Sequence, residues 1–158
     1  MSEPNGAVHL AGAALQDRRH VCALFHSREE EYNVLMPFIQ EGVARGDRAF
    51  HIVDPALRAD HIRRLTGNGI DCAPAERSGQ LEVRVWQEAY LRGGRFDQHA
   101  MLALVEQVLQ AGHDQGYPCT RMVAHMEWAL ESLPGVDDLI EYEARANYVL
   151  ARYADPVV

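Results

Sequence analysis

The chain has 158 residues, 47% of them hydrophobic, and a formal net charge of -8. That length and composition fit one globular domain with a single sizeable core and exclude a disordered chain. The acidic, interspersed charge excludes a general nucleic-acid binder, no apolar run reaches the roughly 20 residues of a membrane span, and the three spaced cysteines form neither a disulfide framework nor a CxxC site.

Residues 1–18 are small and polar without periodicity and read as a flexible N-terminal arm; residues 19–158 read as the domain. The N-terminus has no basic n-region, so no secretory signal is expected and a reduced, cytoplasmic setting is the simplest reading. Residues 21–25 form an apolar run of strand length. Ser27 followed by Glu30 is a capping box, and the helix it opens carries Tyr32, Leu35, Met36, Phe38, Ile39 and Val43. Pro37 should kink that helix and Gly46 should end it. Residues 49–53 read as a second strand, and Asp54-Pro55 as the cap and first position of a helix that stops at residues 67–69. Residues 70–72 read as a short extended piece.

Residues 81–86 read as a third strand, followed by a helical turn and the break at Gly93-Gly94. Asp97 caps a long helix closed by Gly116. Residues 120–126 read as a fourth strand, a helix follows Pro134-Gly135, and residues 155–158 read as a turn and the start of another strand. Strands alternating with helices of crossover length predict an α/β fold: a three-layer, mostly parallel sheet with right-handed crossovers and helices on both faces. Ligands of such sheets bind beyond the carboxyl ends of the strands, which nominates a crevice bounded by His26, Asp54, Trp86 and Trp128.

The first strand-to-helix turn has neither the glycines nor the lysine of a phosphate loop, and Glu29, Glu30 and Glu31 would repel an anion while suiting a helix start. His20, Cys22, His26, His125 and Glu127 offer metal-type donors, yet no local ligand motif joins them and a satisfied core role is the commoner fate of such residues. No GxSxG elbow is present. Asp54 and Glu127 can be drawn as an acid/base pair across strand ends, with capping as the plainer role of Asp54. Trp86, Tyr90, Phe96 and Trp128 fall at or after strand ends, where they suit either an apolar ligand pocket or core packing. These features favour a non-catalytic domain without a cofactor.

The segments HVCALFHSREEEYNVLMPFIQEG, HIVDP, GQLEVRVWQEAYLRGGRFD, RMVAHMEWAL and DLIEYEARAN, in that order, resemble the methanogen/methylotroph sensory (MEDS) domain family. The resemblance implies a RecA-like fold with a degenerate nucleotide turn. It also implies a sensory role toward small hydrocarbon-derived molecules in bacterial and archaeal signalling. Positions carried over as ligand contacts are His20, Tyr90, Phe96, Asp97, Arg121, Trp128 and Glu143. The implied partners are a small organic ligand and a signalling protein: a histidine kinase, an anti-sigma pathway component or a transcription regulator. Family members commonly continue with a further strand and helix, so an open sheet edge and a possible homodimer are expected. A scaffold module without ligand, and a metal-dependent sensor or enzyme, are the alternatives.

Overall fold

The structure is a computed structural model that describes residues 6–17 and 19–158. Most of the expected arm is ordered. Val8–Leu10 (β1) and Ala13–Leu15 (β2) pair antiparallel through a turn with positive φ at Ala11 and Gly12. Val8 and Leu10 are buried with Leu35, Phe38 and Ile39, so the hairpin is packed rather than loose. An alternation only three residues long gave too weak a strand signal in the sequence. The remainder of the expected arm, residues 1–5 and Arg18, lies outside the described residues.

Helix α1 (Arg28–Arg45) starts as its capping signal requires. Ser27 Oγ accepts from the Glu30 amide at 3.2 Å, and the Glu30 carboxylate reaches back to accept from the His26 amide at 2.7 Å. Pro37 lies on the exposed side and the helix continues through it to Gly46, whose φ of 80° closes it. Strand β3 (Arg48–Val53) follows and is buried along its whole length. Asp54 caps a short 3-10 turn, Pro55–Leu57, that leads into α2 (Arg58–Gly67).

Residues 70–72, expected to be extended, instead lead into helix α3 (Cys72–Ser78). Pro74 falls in its first turn, where no amide is required, and a short apolar run alone does not separate strand from helix. Strand β4 (Leu81–Val85), helix α4 (Gln98–Asp114), strand β5 (Thr120–Ala124) and helix α5 (Leu139–Leu150) complete the chain.

The sheet is parallel, in the order β4-β3-β5. Alternation along its strands feeds two cores. Phe50, Ile52 and Met122 pack with α4, α5 and the aromatic residues that follow β4. Ala49, Val53, Leu81, Val83 and Val123 pack with α1, the hairpin and Leu65 of α2. A central strand buried on both faces reads as a continuous apolar run, as β3 nearly does.

The main departure concerns residues 21–25, expected to be a buried strand. They are outside any strand, and Leu24 is 96% exposed. Only the start of the segment is tied into the sheet, and it is tied indirectly. Val157 bridges Met122 of β5 on one side and His20 on the other. The Val157 amide donates to the Arg19 carbonyl at 2.8 Å, and the Val21 amide donates to the Val157 carbonyl at 2.9 Å. Residues 156–158 therefore lie where the expected last strand begins, and they hold residues 21–25 one strand away from β5.

Candidate functional site: a trough beside the end of β5

Between residues 20–28 and the end of β5 lies a cavity of about 440 Å³, in the size range of small-molecule pockets. Its apolar lining comes from Val21, Ala23 and Phe25 on one wall, Val123, Ala124 and Met126 on the other, and Leu35, Tyr90 and Tyr142 beneath. Burial pushes the Tyr90 and Tyr142 phenols up, so both stay protonated.

The polar groups of the trough are few. His125 follows β5 and its side chain is only 3% exposed. Its Nε2 lies 2.9 Å from Glu31 Oε1 on α1, but off hydrogen-bond alignment, so neither ring nitrogen has an aligned partner among the described residues. Burial pushes the Glu31 carboxyl up, but His125 and the nearby Arg28 charge outweigh it and hold Glu31 below its ordinary value. Arg28 lies 3.8 Å from Glu127, and its Nη1 is also buried without a partner among the described residues. His20 joins Glu143 at 3.2 Å and Asn147 at 3.1 Å. The bond to Glu143, against the cost of desolvation, raises the His20 pKa above 6.5.

Behind His125 lies a buried chain of aromatic nitrogens. Tyr32 Oη is 2.5 Å from His61 Nδ1, and His61 Nε2 is 2.9 Å from His51 Nδ1. With Tyr32 as donor, His61 Nε2 carries the proton it shares with His51, and His51 Nε2 is left without a partner among the described residues. Burial drives the His61 pKa down to about 3 and His51 well below its ordinary value, so both are neutral.

The expected site residues divide. His20, His26, Tyr90, Glu127 and Glu143 line the trough. Trp86, Phe96 and Trp128 do not. Trp128 is 0% exposed and packs in tilted ring contacts with Tyr90 and Phe96 at ring separations of 4.9 and 5.1 Å. Trp86 is buried and donates from Nε1 to the His125 carbonyl at 2.9 Å, so it shapes the site from behind. Asp54 and Asp97 accept from backbone amides at helix starts. Arg121 is buried at the other end of β5, against Asp47, Glu41 and the Phe38 carbonyl. The five metal-type donors His20, Cys22, His26, His125 and Glu127 share the trough lining, but among the described residues no three such side chains converge as a metal site needs.

Arg28, Glu31 and Tyr142 belong to the site without having been nominated for it. Glu31 read as a helix-start acid, and Tyr142 lies in the helix expected after Pro134-Gly135; only the three-dimensional meeting of α1, α5 and β5 separates them from such roles.

The fold and site together define a small α/β domain with an apolar trough beside the strand ends. The model of the methanogen/methylotroph, DcmR sensory domain (MEDS) family matches residues 19–156. The chain belongs to this family of sensory domains. Comparison with curated proteins and with solved structures returned no match.

Proposed function

We propose that this domain is a non-catalytic sensor that binds a small, largely apolar organic molecule in the trough and relays its presence to a signalling or transcription partner. The observation that carries the reading is the pairing of an apolar cavity with His125, a buried side chain whose ring nitrogens lack aligned partners among the described residues. A ligand with one hydrogen-bonding group satisfies that imidazole while its apolar body covers Leu35, Tyr90 and Tyr142. The setting is cytoplasmic in this reading; no helix among the described residues is long and apolar enough to cross a membrane. We read the layout as RecA-like, with the first helix start given to capping acids in place of a phosphate loop.

Thermal unfolding with a panel of small neutral alcohols, ketones and amides tests the proposal. A compound that binds at 100 times its dissociation constant adds about 2.7 kcal/mol to stability. His125→Ala should abolish that gain while lowering the stability of the free protein by only about 1–2 kcal/mol. Stabilisation that survives in His125→Ala, or none from any compound of the panel, would count against the site.

A further inference from the structure

We propose that β4 is a dimerisation edge, along which the domain pairs antiparallel with a second copy of itself about a twofold axis at Val83. The inference rests on unpaired backbone groups and on the order of charges along one strand. It does not depend on ligand binding, and it concerns the sheet edge farthest from the trough.

β4 has β3 on one side and no strand on the other among the described residues. The Ala49 amide donates to the Gln80 carbonyl at 2.7 Å, and Ala49, His51 and Val53 stand opposite Leu81, Val83 and Val85. In a parallel ladder of that register Gln80, Glu82 and Arg84 make the bonds to β3, so Leu81, Val83 and Val85 turn their amides and carbonyls outward. The Val85 amide is taken by Glu88 Oε2 at 2.9 Å. The amides and carbonyls of Leu81 and Val83 have no partner among the described residues. An edge of this kind is usually blunted by a proline or a bulge. The segment LEVRV has no proline, and its register with β3 runs without a break.

The charges select one pairing. A twofold antiparallel pair that overlaps most of the strand and keeps the outward residues opposite one another is centred on Glu82, Val83 or Arg84. Centring on Glu82 sets two glutamates opposite each other, and centring on Arg84 sets two arginines so. Centring on Val83 sets Glu82 opposite Arg84, twice by symmetry, which is the favourable arrangement. The two side chains are 32% and 27% exposed and already attract within one chain, at 2.7 Å from Arg84 Nε to Glu82 Oε1. Arg48 holds the other Glu82 oxygen at 2.6 Å, so Arg84 is free to span both copies without leaving Glu82 unpaired. In this register Val83 exchanges both backbone bonds with its counterpart. The Leu81 amide reaches the Val85 carbonyl of the second copy, whose oxygen can accept twice. A foreign strand would have to supply the complementary order of charges; a second copy carries it by symmetry, and the two sheets become one.

The test is sedimentation velocity of the full chain from about 1 μM to about 1 mM, with amide hydrogen exchange at both ends of that range. The chain should pass from monomer to dimer. The Leu81 and Val83 amides should be slowed at high concentration only, while those of Glu82 and Arg84, bonded to β3, stay slow throughout. Arg84→Glu sets glutamates opposite each other twice and should weaken the dimer at least about tenfold, with Arg84→Gln falling between it and the parent chain. Unchanged circular dichroism of both variants separates this effect from misfolding, and the exchange pattern of the parent chain stands without them. A monomer up to about 1 mM, a dimer that leaves Leu81 and Val83 unprotected, or a dimer indifferent to a folded Arg84→Glu overturns the proposal. None of these readings involves a small organic compound, so this proposal and the sensory one can fail separately.

Discussion

The two ends of β5 bury ionisable side chains in opposite ways. At its start, Arg121 is 2% exposed and is held by Asp47 at 2.8 Å, Glu41 at 2.7 Å and the Phe38 carbonyl at 2.8 Å, with the Phe38 ring 5.0 Å from the guanidinium carbon. Gly42 lets this cluster close, since a Cβ there would lie 2.6 Å from the Arg121 side chain. One guanidinium nitrogen and one Asp47 oxygen lack partners among the described residues, and neither residue lines the trough. At the far end, His125 has Glu31 at 2.9 Å but no aligned hydrogen-bond partner for either nitrogen among the described residues, and it sits on an open cavity. Buried charge that is matched and enclosed holds a fold together; buried polarity left unmatched beside a cavity is available to something that arrives later.

The contrast can be broken by mutation, and the closed end should give the larger effect. Arg121→Met leaves Asp47, 1% exposed, without its cation, and unfolding in urea should report a loss of about 3–5 kcal/mol. A loss under about 1 kcal/mol would mean that the cluster is not the anchor described.

Acid should separate the two ends by pH. His51 and His61 titrate below 6.5 in the fold, so the unfolded chain takes up their protons first. Their contribution is complete above about 6.5 and falls as the pH drops, for His61 down to about 3, with a slope of up to about 1.4 kcal/mol per pH unit for each histidine. Burial raises Glu41, but hydrogen bonds from His9 and Arg121 hold it at about 2, so its contribution is lost only between its ordinary value of 4.5 and that point. Between pH 6.5 and 4.5, stability curves should fall through the histidines alone, and His61→Asn should flatten the fall. An unchanged slope in that variant would remove the buried histidines as its cause.

The smallest effect belongs to the exposed edge. Leu24→Ser should leave stability within about 0.5 kcal/mol in the same urea titration, because Leu24 is 96% exposed. A larger loss would show that residues 21–25 are packed in solution.

Much of the parallel sheet was legible in the sequence because β3, β4, β5, α1 and α4 carry strong periodicity bounded by capping signals at Ser27, Asp54 and Asp97. The site was legible only in part. His20, Tyr90, Glu127 and Glu143, nominated from the sequence, line the trough, but Trp86 and Trp128, equally placed at strand ends in the sequence, turn into the core. Which way a residue after a strand turns depends on the packing of α4 and α5 against it, and periodicity ends where the strand does. Residues 21–25 misled because apolar composition indicates strand length but not whether a neighbouring strand is present to pair with.

Ligand binding at His125 is tested most directly by amide and imidazole shifts of the uniformly labelled chain, titrated with the compound that gives the largest thermal stabilisation. Shifts should gather at Ala23, Glu31, His125 and Tyr142 and leave Asp47 and Arg121 unmoved. Shifts centred on Asp54 or on Arg121, or none at His125 at saturation, would contradict it.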